Sequence, residues 1–255
     1  MKHLNKAHSL ILAYLAAAFA LSSILWLFIE IPLLEYIPKL TETLMHRTGY
    51  AVIKHDDKGI PVVIYPKAGR QYNPLFIANQ AKLDYTQPDK QEQLKRFLNC
   101  TDWLWQNHQL INGKAYYPYR FEFPAYKQKN PWYSALAQAN ILNAVYLRYE
   151  YGKDLQWLML AKQTLAALIP DAEFRLGYYT TKGGIWFAEY PSEQPSDVLN
   201  GMMAVLIELH SFYSKTSDSL ALDLFNKGYS ALVEKLPEFD SFYGSKYDLT
   251  GTLAS

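Results

Sequence analysis

Glu189 and Tyr190 stand side by side in the run Trp186-Phe187-Ala188-Glu189-Tyr190-Pro191, at the end of an aromatic, strand-like segment. Pro191 and Pro195 bracket a turn that leads into an amphipathic helix pattern. Such a turn holds a carboxyl and a phenol at the mouth of a pocket rather than in a core. Both groups transfer protons, and aromatic rings flank them. That combination suits acid/base chemistry on a sugar ring. The blander readings are a surface acid and a ring that packs a rim.

Composition narrows the field. The chain has 255 residues, half of them hydrophobic, enough for a large core. Its formal net charge is +1 with no basic block, which argues against a nucleic-acid partner. The 21 tyrosines and 6 tryptophans serve a core or a carbohydrate groove, where sugar faces stack on rings and phenols bond hydroxyls. A single cysteine, Cys100, excludes an internal disulfide. The 6 histidines show no zinc-site spacing, and no Asp/Glu cluster reads as a calcium loop, so no metal site is expected.

The elements that must position the pair follow from periodicity. Ser9 to Ile29 is a weakly polar or apolar run long enough to span a bilayer. Lys2 and Lys6 precede it, which predicts a cytoplasmic N-terminus and a main domain outside, whether periplasmic, extracellular or lumenal. Ala18-Phe19-Ala20 resembles a cleavage site, but the apolar run continues past it. Residues 1–32 therefore read as a single-pass signal-anchor and 33–71 as a connector with a short β-hairpin around Asp56-Asp57-Lys58-Gly59. Residues 72–255 form the main domain. Helices are predicted from Pro74, over Asp89–Asn107, Trp132–Tyr151, Leu155–Leu168, from a Ser196 cap, and from Asp218 to Leu236. Tyr116–Phe123 reads as a strand, Phe174–Tyr190 as a hairpin, and Phe239–Leu249 as irregular or extended. Three helix pairs with inserted hairpins imply a mainly α fold. It is either an α/α barrel (toroid), incomplete in the stretch present, or a plain helical array.

Several segments resemble the C-terminal catalytic domain of D-glucuronyl C5-epimerases. They are Trp132-Tyr133-Ser134-Ala135-Leu136-Ala137-Gln138, Trp186 to Pro191, Val198-Leu199-Asn200-Gly201 and Tyr247-Asp248-Leu249, in that order. Asn73-Pro74-Leu75-Phe76-Ile77-Ala78 resembles the helix start ahead of that core. The resemblance covers roughly Tyr72 to Leu249. It implies an α/α barrel and epimerisation at C5 of glucuronate within a polysaccharide, giving iduronate, with heparan-type precursors as the familiar substrate. It assigns acid/base work to Glu189, Tyr190 and Tyr247. Trp132, Tyr133, Gln138, Trp186 and Asn200 become candidate substrate-binding residues, although packing and backbone satisfaction compete for each.

The chemistry explains the residue types. The C5 hydrogen lies α to the uronate carboxylate. Its removal and return on the opposite face need two proton-transfer groups on opposite walls, here Glu189 with Tyr190 against Tyr247. Cationic or hydrogen-bonding groups must steady the enediolate-like intermediate. No cofactor is demanded. Two departures stand out: Thr250 occupies the place of an expected arginine, and the family's further tyrosine would fall beyond Ser255. The expected partners are a glucuronate-containing polysaccharide and the membrane, and a homodimer is compatible with both. The rival readings are a non-catalytic glycan-binding relative and a uronate polysaccharide lyase.

Overall fold

The computed structural model describes residues 52–87, 90–193, 196–241 and 244–250. The chain divides into the units Met1–Val52 and Ile53–Ser255, and all but one of the described residues belong to the second. The proposed membrane segment, Ser9 to Ile29, and residues 33–51 of the connector lie outside the described residues. Among those described, no helix is long and apolar enough to cross a membrane.

The described part opens with strands β1 (Val52–His55), β2 (Pro61–Tyr65) and β3 (Gly69–Gln71) in one three-stranded sheet. The hairpin predicted here thus gains a third strand. Asp56 organises its first turn: Oδ1 accepts from Lys58 N at 2.9 Å and Ile60 N at 2.8 Å. Gly59 supplies the required positive φ of 77°.

Six helices follow: α1 (Pro74–Tyr85), α2 (Gln91–Asn107), α3 (Ala135–Gly152), α4 (Leu155–Ala166), α5 (Leu199–Thr216) and α6 (Ser219–Lys235). They pack as the pairs α1/α2, α3/α4 and α5/α6, with α1, α3 and α5 side by side. Local signals set the pairing. Asn73, Asp154 and Asp218 cap their helices through side-chain oxygens. Lys153 and Ser217 end α3 and α5 in left-handed conformation. The two-residue links that result leave the next helix nowhere to go but back along the last. Helix α3 is the centre: Ala137 to Leu147 are all buried.

Lys82, Asn140, Asn143 and Glu208 tie the three adjacent helices together. Lys82 Nζ is 2.5 Å from both Asn140 Oδ1 and Glu208 Oε1. Asn143 Nδ2 donates to Glu208 Oε2 at 2.8 Å.

Between the pairs lie two hairpins, β4 (Gln109–Ile111) with β5 (Lys114–Tyr116), and β6 (Gly177–Tyr179) with β7 (Ile185–Phe187). The predicted strand Tyr116–Phe123 is only its first residue. The rest is an irregular loop closed by backbone bonds between Tyr119 and Trp132 and between Phe123 and Gln128. Two prolines, Pro118 and Pro124, explain this, since neither can donate to a ladder. A final short hairpin, β8 (Asp240–Ser241) and β9 (Gly244–Ser245), precedes Tyr247.

Candidate active site

Four backbone bonds gather the site. Strand β7 runs out through Ala188, whose carbonyl accepts Ala135 N at the start of α3 (3.0 Å) and whose N–H donates to Leu176 O (2.8 Å). Leu199 N donates to Tyr247 O at 3.0 Å, and Leu249 N to Ser196 O at 2.9 Å. The segment 247–249 is therefore laid against the entry to α5. Ser196 does not cap that helix. Val198 is the N-cap, without a side-chain bond. The orphan N–H of Leu199 is satisfied by the Tyr247 carbonyl instead, a tertiary substitute for a local cap.

Glu189 sits on the first turn of α5. A Cβ at Gly201 would overlap Glu189 Oε2 and lie 3.1 Å from Glu189 Cβ, so only glycine leaves room for the acid. The next residue back, Asn200, has its side chain beside the Tyr247 hydroxyl and accepts Gly201 N at 2.9 Å. Glu189 and Tyr247 thus rest on the same helix turn. This corrects the expectation that Tyr247 faces Glu189 and Tyr190 from the opposite wall.

The Tyr190 hydroxyl lies beside the Glu189 carboxyl, placed to donate to it. Glu189 Oε2 is sealed from solvent and has no hydrogen-bond partner among the described residues. Burial raises the Glu189 carboxyl above the usual carboxylate range, opposed by the bond from Tyr190. The positive end of α5 favours the ionised form, but desolvation prevails. Tyr190 is driven far above an ordinary phenol by its own burial and then by the Glu189 charge. Tyr247 is raised as well, by burial and by Glu189. The site therefore keeps its phenols protonated, and a standing tyrosinate is disfavoured.

Tyr190 faces a cleft of about 1470 Å³ that Trp132, Tyr133, Asp248 and Thr250 also line. Glu189 and Tyr247 are not part of that lining. Tyr126 is, and it stacks on Tyr190 with centroids 3.9 Å apart and planes 4° from parallel. The Tyr126 hydroxyl donates to Asp248 Oδ2 at 3.0 Å, while Thr250 N and Oγ1 donate to Asp248 Oδ1 at 2.9 and 2.7 Å. Burial and Asp248 raise Tyr126 above the ordinary phenol range. Tyr126, Asp248 and Gly201 are site residues that the sequence reading did not single out. Asp248 and Gly201 lay inside recognised motifs, whereas Tyr126 sits in a loop with no periodic signal.

The family model for the D-glucuronyl C5-epimerase C-terminus matches residues 112–255, more than half the chain. The chain belongs to this epimerase family. It is 35% identical over 137 residues to an uncharacterized protein of Methanocaldococcus jannaschii, covering 52% of this chain and 44% of that one. To a D-glucuronyl C5-epimerase of Caenorhabditis elegans it is 26% identical over 170 residues, 60% of this chain and 27% of the relative. The chain thus spans less than half the length of these relatives. In fold it is similar to an alpha-mannanase from Bacteroides thetaiotaomicron (TM-score 0.51, 15% identity, 83% of this chain and 54% of that one). It is likewise similar to a cellobiose 2-epimerase from Bacillus thermoamylovorans (TM-score 0.51, 13% identity, 85% and 58%). The described fold is mainly helical, with neighbours in the α/α toroid class.

In this C5-epimerase-family chain the remaining candidates divide. Trp132 and Tyr133 line the cleft, Trp132 through a ring that stacks on Tyr119 at 3.9 Å and lies 5.9 Å from Tyr190. Asn200 is exposed and reaches Tyr247. Gln138 is buried, and its amide donates to Ala115 O at 2.5 Å and Thr164 O at 3.1 Å. It joins β5 to α4 and has no donor left for a sugar. Trp186 is fully buried, stacked 5.7 Å from Phe239 and lying under the Lys235 ammonium at 5.4 Å. Both are framework residues, corrected from substrate binding: Gln138 lies among the buried residues of α3, and all three residues of β7 are buried.

Proposed function

We propose that this chain epimerises D-glucuronate residues at C5 within an acidic polysaccharide. The observation that carries the reading is the Glu189–Tyr190 pair: a cleft-facing phenol backed by a buried, desolvated carboxyl in a glucuronyl C5-epimerase family member. Because Tyr190 stays protonated, it acts as a relay. Its oxygen takes the C5 hydrogen as a proton while its own proton passes to ionised Glu189. The electrons of the C5–H bond move into the uronate carboxylate as an enediolate. Lys127 and Lys129, which line the cleft beside Tyr126, offset that charge in place of the arginine that Thr250 replaces.

The opposite face needs a second phenol. Tyr126 lines the cleft and Tyr247 does not, so Tyr126 returns the proton. Its O–H breaks as the new C5–H forms, and the oxygen is reprotonated from solvent. The stacked rings form one wall and direct their hydroxyls to different carboxylates, so the enediolate turns between the two proton transfers and presents its opposite face to Tyr126.

The test is incubation of a glucuronate polymer with the chain in deuterated water. Deuterium at C5 with iduronate formed is expected. An unsaturated uronate would mean a lyase, and bound but unchanged polymer a glycan-binding protein. From sequence we also propose that Ser9–Ile29 anchors the chain with Lys2 and Lys6 in the cytoplasm. A reporter fused at Ser255 should then be active outside the cytoplasm, and activity confined to the cytoplasm sinks that topology.

A further inference from the structure

A second cleft, of about 910 Å³, shares Arg175, Ser192 and Glu193 with the first and continues over Tyr178, Tyr179 and Lys235. Its cation Lys235 is committed: it pairs with buried Asp197 and bonds the Tyr178 hydroxyl at 2.8 Å. Arg175, at the junction, is not committed in this way. Its Nε reaches Ala172 O at 3.3 Å, and Nη1 lies 3.7 Å from Glu193 Oε1. The two side chains are 45% and 87% exposed, so the pair is screened and weak.

The backbone at Arg175 is also unusual. Its φ is 52°, left-handed, in a turn closed by Arg175 N donating to Asp171 O at 2.9 Å. Glycine adopts that conformation without strain and arginine does not. A strained residue with an open guanidinium, on the boundary of two clefts, is the arrangement of a ligand contact rather than of a structural tie.

We infer that Arg175 grips a carboxylate of an acidic polymer where the polymer passes from the first cleft into the second. The guanidinium fork matches a carboxylate in bidentate fashion, and Tyr179, 60% exposed, offers a sugar platform beyond it. This deepens the function proposed above, since it rests on the same acidic polysaccharide, but it does not depend on turnover.

The experiment is calorimetric titration of the full chain with glucuronate oligomers of increasing length, alongside carboxyl-reduced oligomers of matching length. Wild type should gain affinity for the acidic series once the oligomer spans both clefts. Arg175→Ala should lose about threefold to tenfold for long acidic oligomers, as suits a half-exposed charge pair, and nothing for the reduced ones. Arg175→Lys should recover part of the loss, keeping the charge without the fork.

Arg175→Gly should lose the same affinity while Tm stays within about 2 °C, because relief of left-handed strain offsets the freer unfolded chain. Wild type that treats the two series alike would overturn the inference. So would variants that bind the acidic series at full strength, or that weaken on both series equally. Arg175-dependent binding without C5 exchange keeps this inference and sinks the epimerase reading; exchange without Arg175 dependence does the reverse.

Discussion

Gly201→Ala is the sharpest test of how the site is built. Gly201 is the third residue of α5 and has an ordinary helical backbone, so it is not among the residues with positive φ. Alanine there should favour the helix by up to about 1 kcal/mol. The new methyl would overlap Glu189 Oε2 and press on Glu189 Cβ at 3.1 Å and Cδ at 3.3 Å. The carboxyl must move, and with it the bond from Tyr190. Misplacing a reacting group by roughly 1 Å costs on the order of 100-fold in rate, or about 2.7 kcal/mol of barrier. The helix gain and the displacement of Glu189 oppose each other in stability, so Tm should shift by no more than a few degrees.

C5 hydrogen exchange and thermal melting should be measured on the same sample. The comparison is Gly184→Ala, whose methyl would meet the α6 backbone, 2.6 Å from Ala231 N and 2.9 Å from its Cα. That variant must part the hairpin from the helix, costing about 1–3 kcal/mol of overpacking, with less effect on exchange in the folded fraction. A folded Gly201→Ala chain that exchanges at the wild-type rate would refute the seating of Glu189 as a determinant of the chemistry.

Tyr190→Phe and Glu189→Gln should each lower exchange by at least about 100-fold, whereas Tyr126→Phe should suppress inversion more than exchange, read by NMR of the product. Equal effects of Tyr126→Phe on both would deny it the second face. The folded Glu189 carboxyl titrates above the ordinary glutamate value of 4.5. Between that value and the raised one the native state holds the extra proton, so stability falls as pH rises through the window while exchange climbs. Glu189→Gln should flatten both profiles. Glu208→Ala would strip Lys82 of its partner across α1 and α5 and cost about 1–3 kcal/mol by denaturant titration. Trp186→Phe should cost about 1–3 kcal/mol, because the smaller ring leaves a cavity beneath Lys235 and beside Phe239 although the indole N–H has no partner to lose, and it should leave sugar binding intact.

Much of the fold was legible because its causes are local. Asn73, Asp154 and Asp218 cap helices through their own side chains. Apolar residues at helical spacing, such as Met202, Val205, Leu209 and Phe212, mark a buried stripe wherever the helix packs. The Glu189–Tyr190 pair was legible for the same reason: two adjacent proton-transfer groups between a strand pattern and a proline turn. Where contacts distant in sequence decide, local signals misled. Ser196 has the chemistry of a cap, yet the amide it would have served is taken by Tyr247, about fifty residues on.

Gln138 and Trp186 carry the residue types of a sugar site, but only tertiary packing turns one onto two backbone carbonyls and the other into the core. Tyr126 reaches the site through a stack and a bond to Asp248, 122 positions away, and nothing in a loop of that composition announces it. The charge states, too, belong to the tertiary structure. A glutamate and a tyrosine are ordinary titrating groups in an unfolded chain, and it is their burial, Glu189 against Gly201 and Tyr190 against Tyr126, that lifts the carboxyl and holds the phenol protonated.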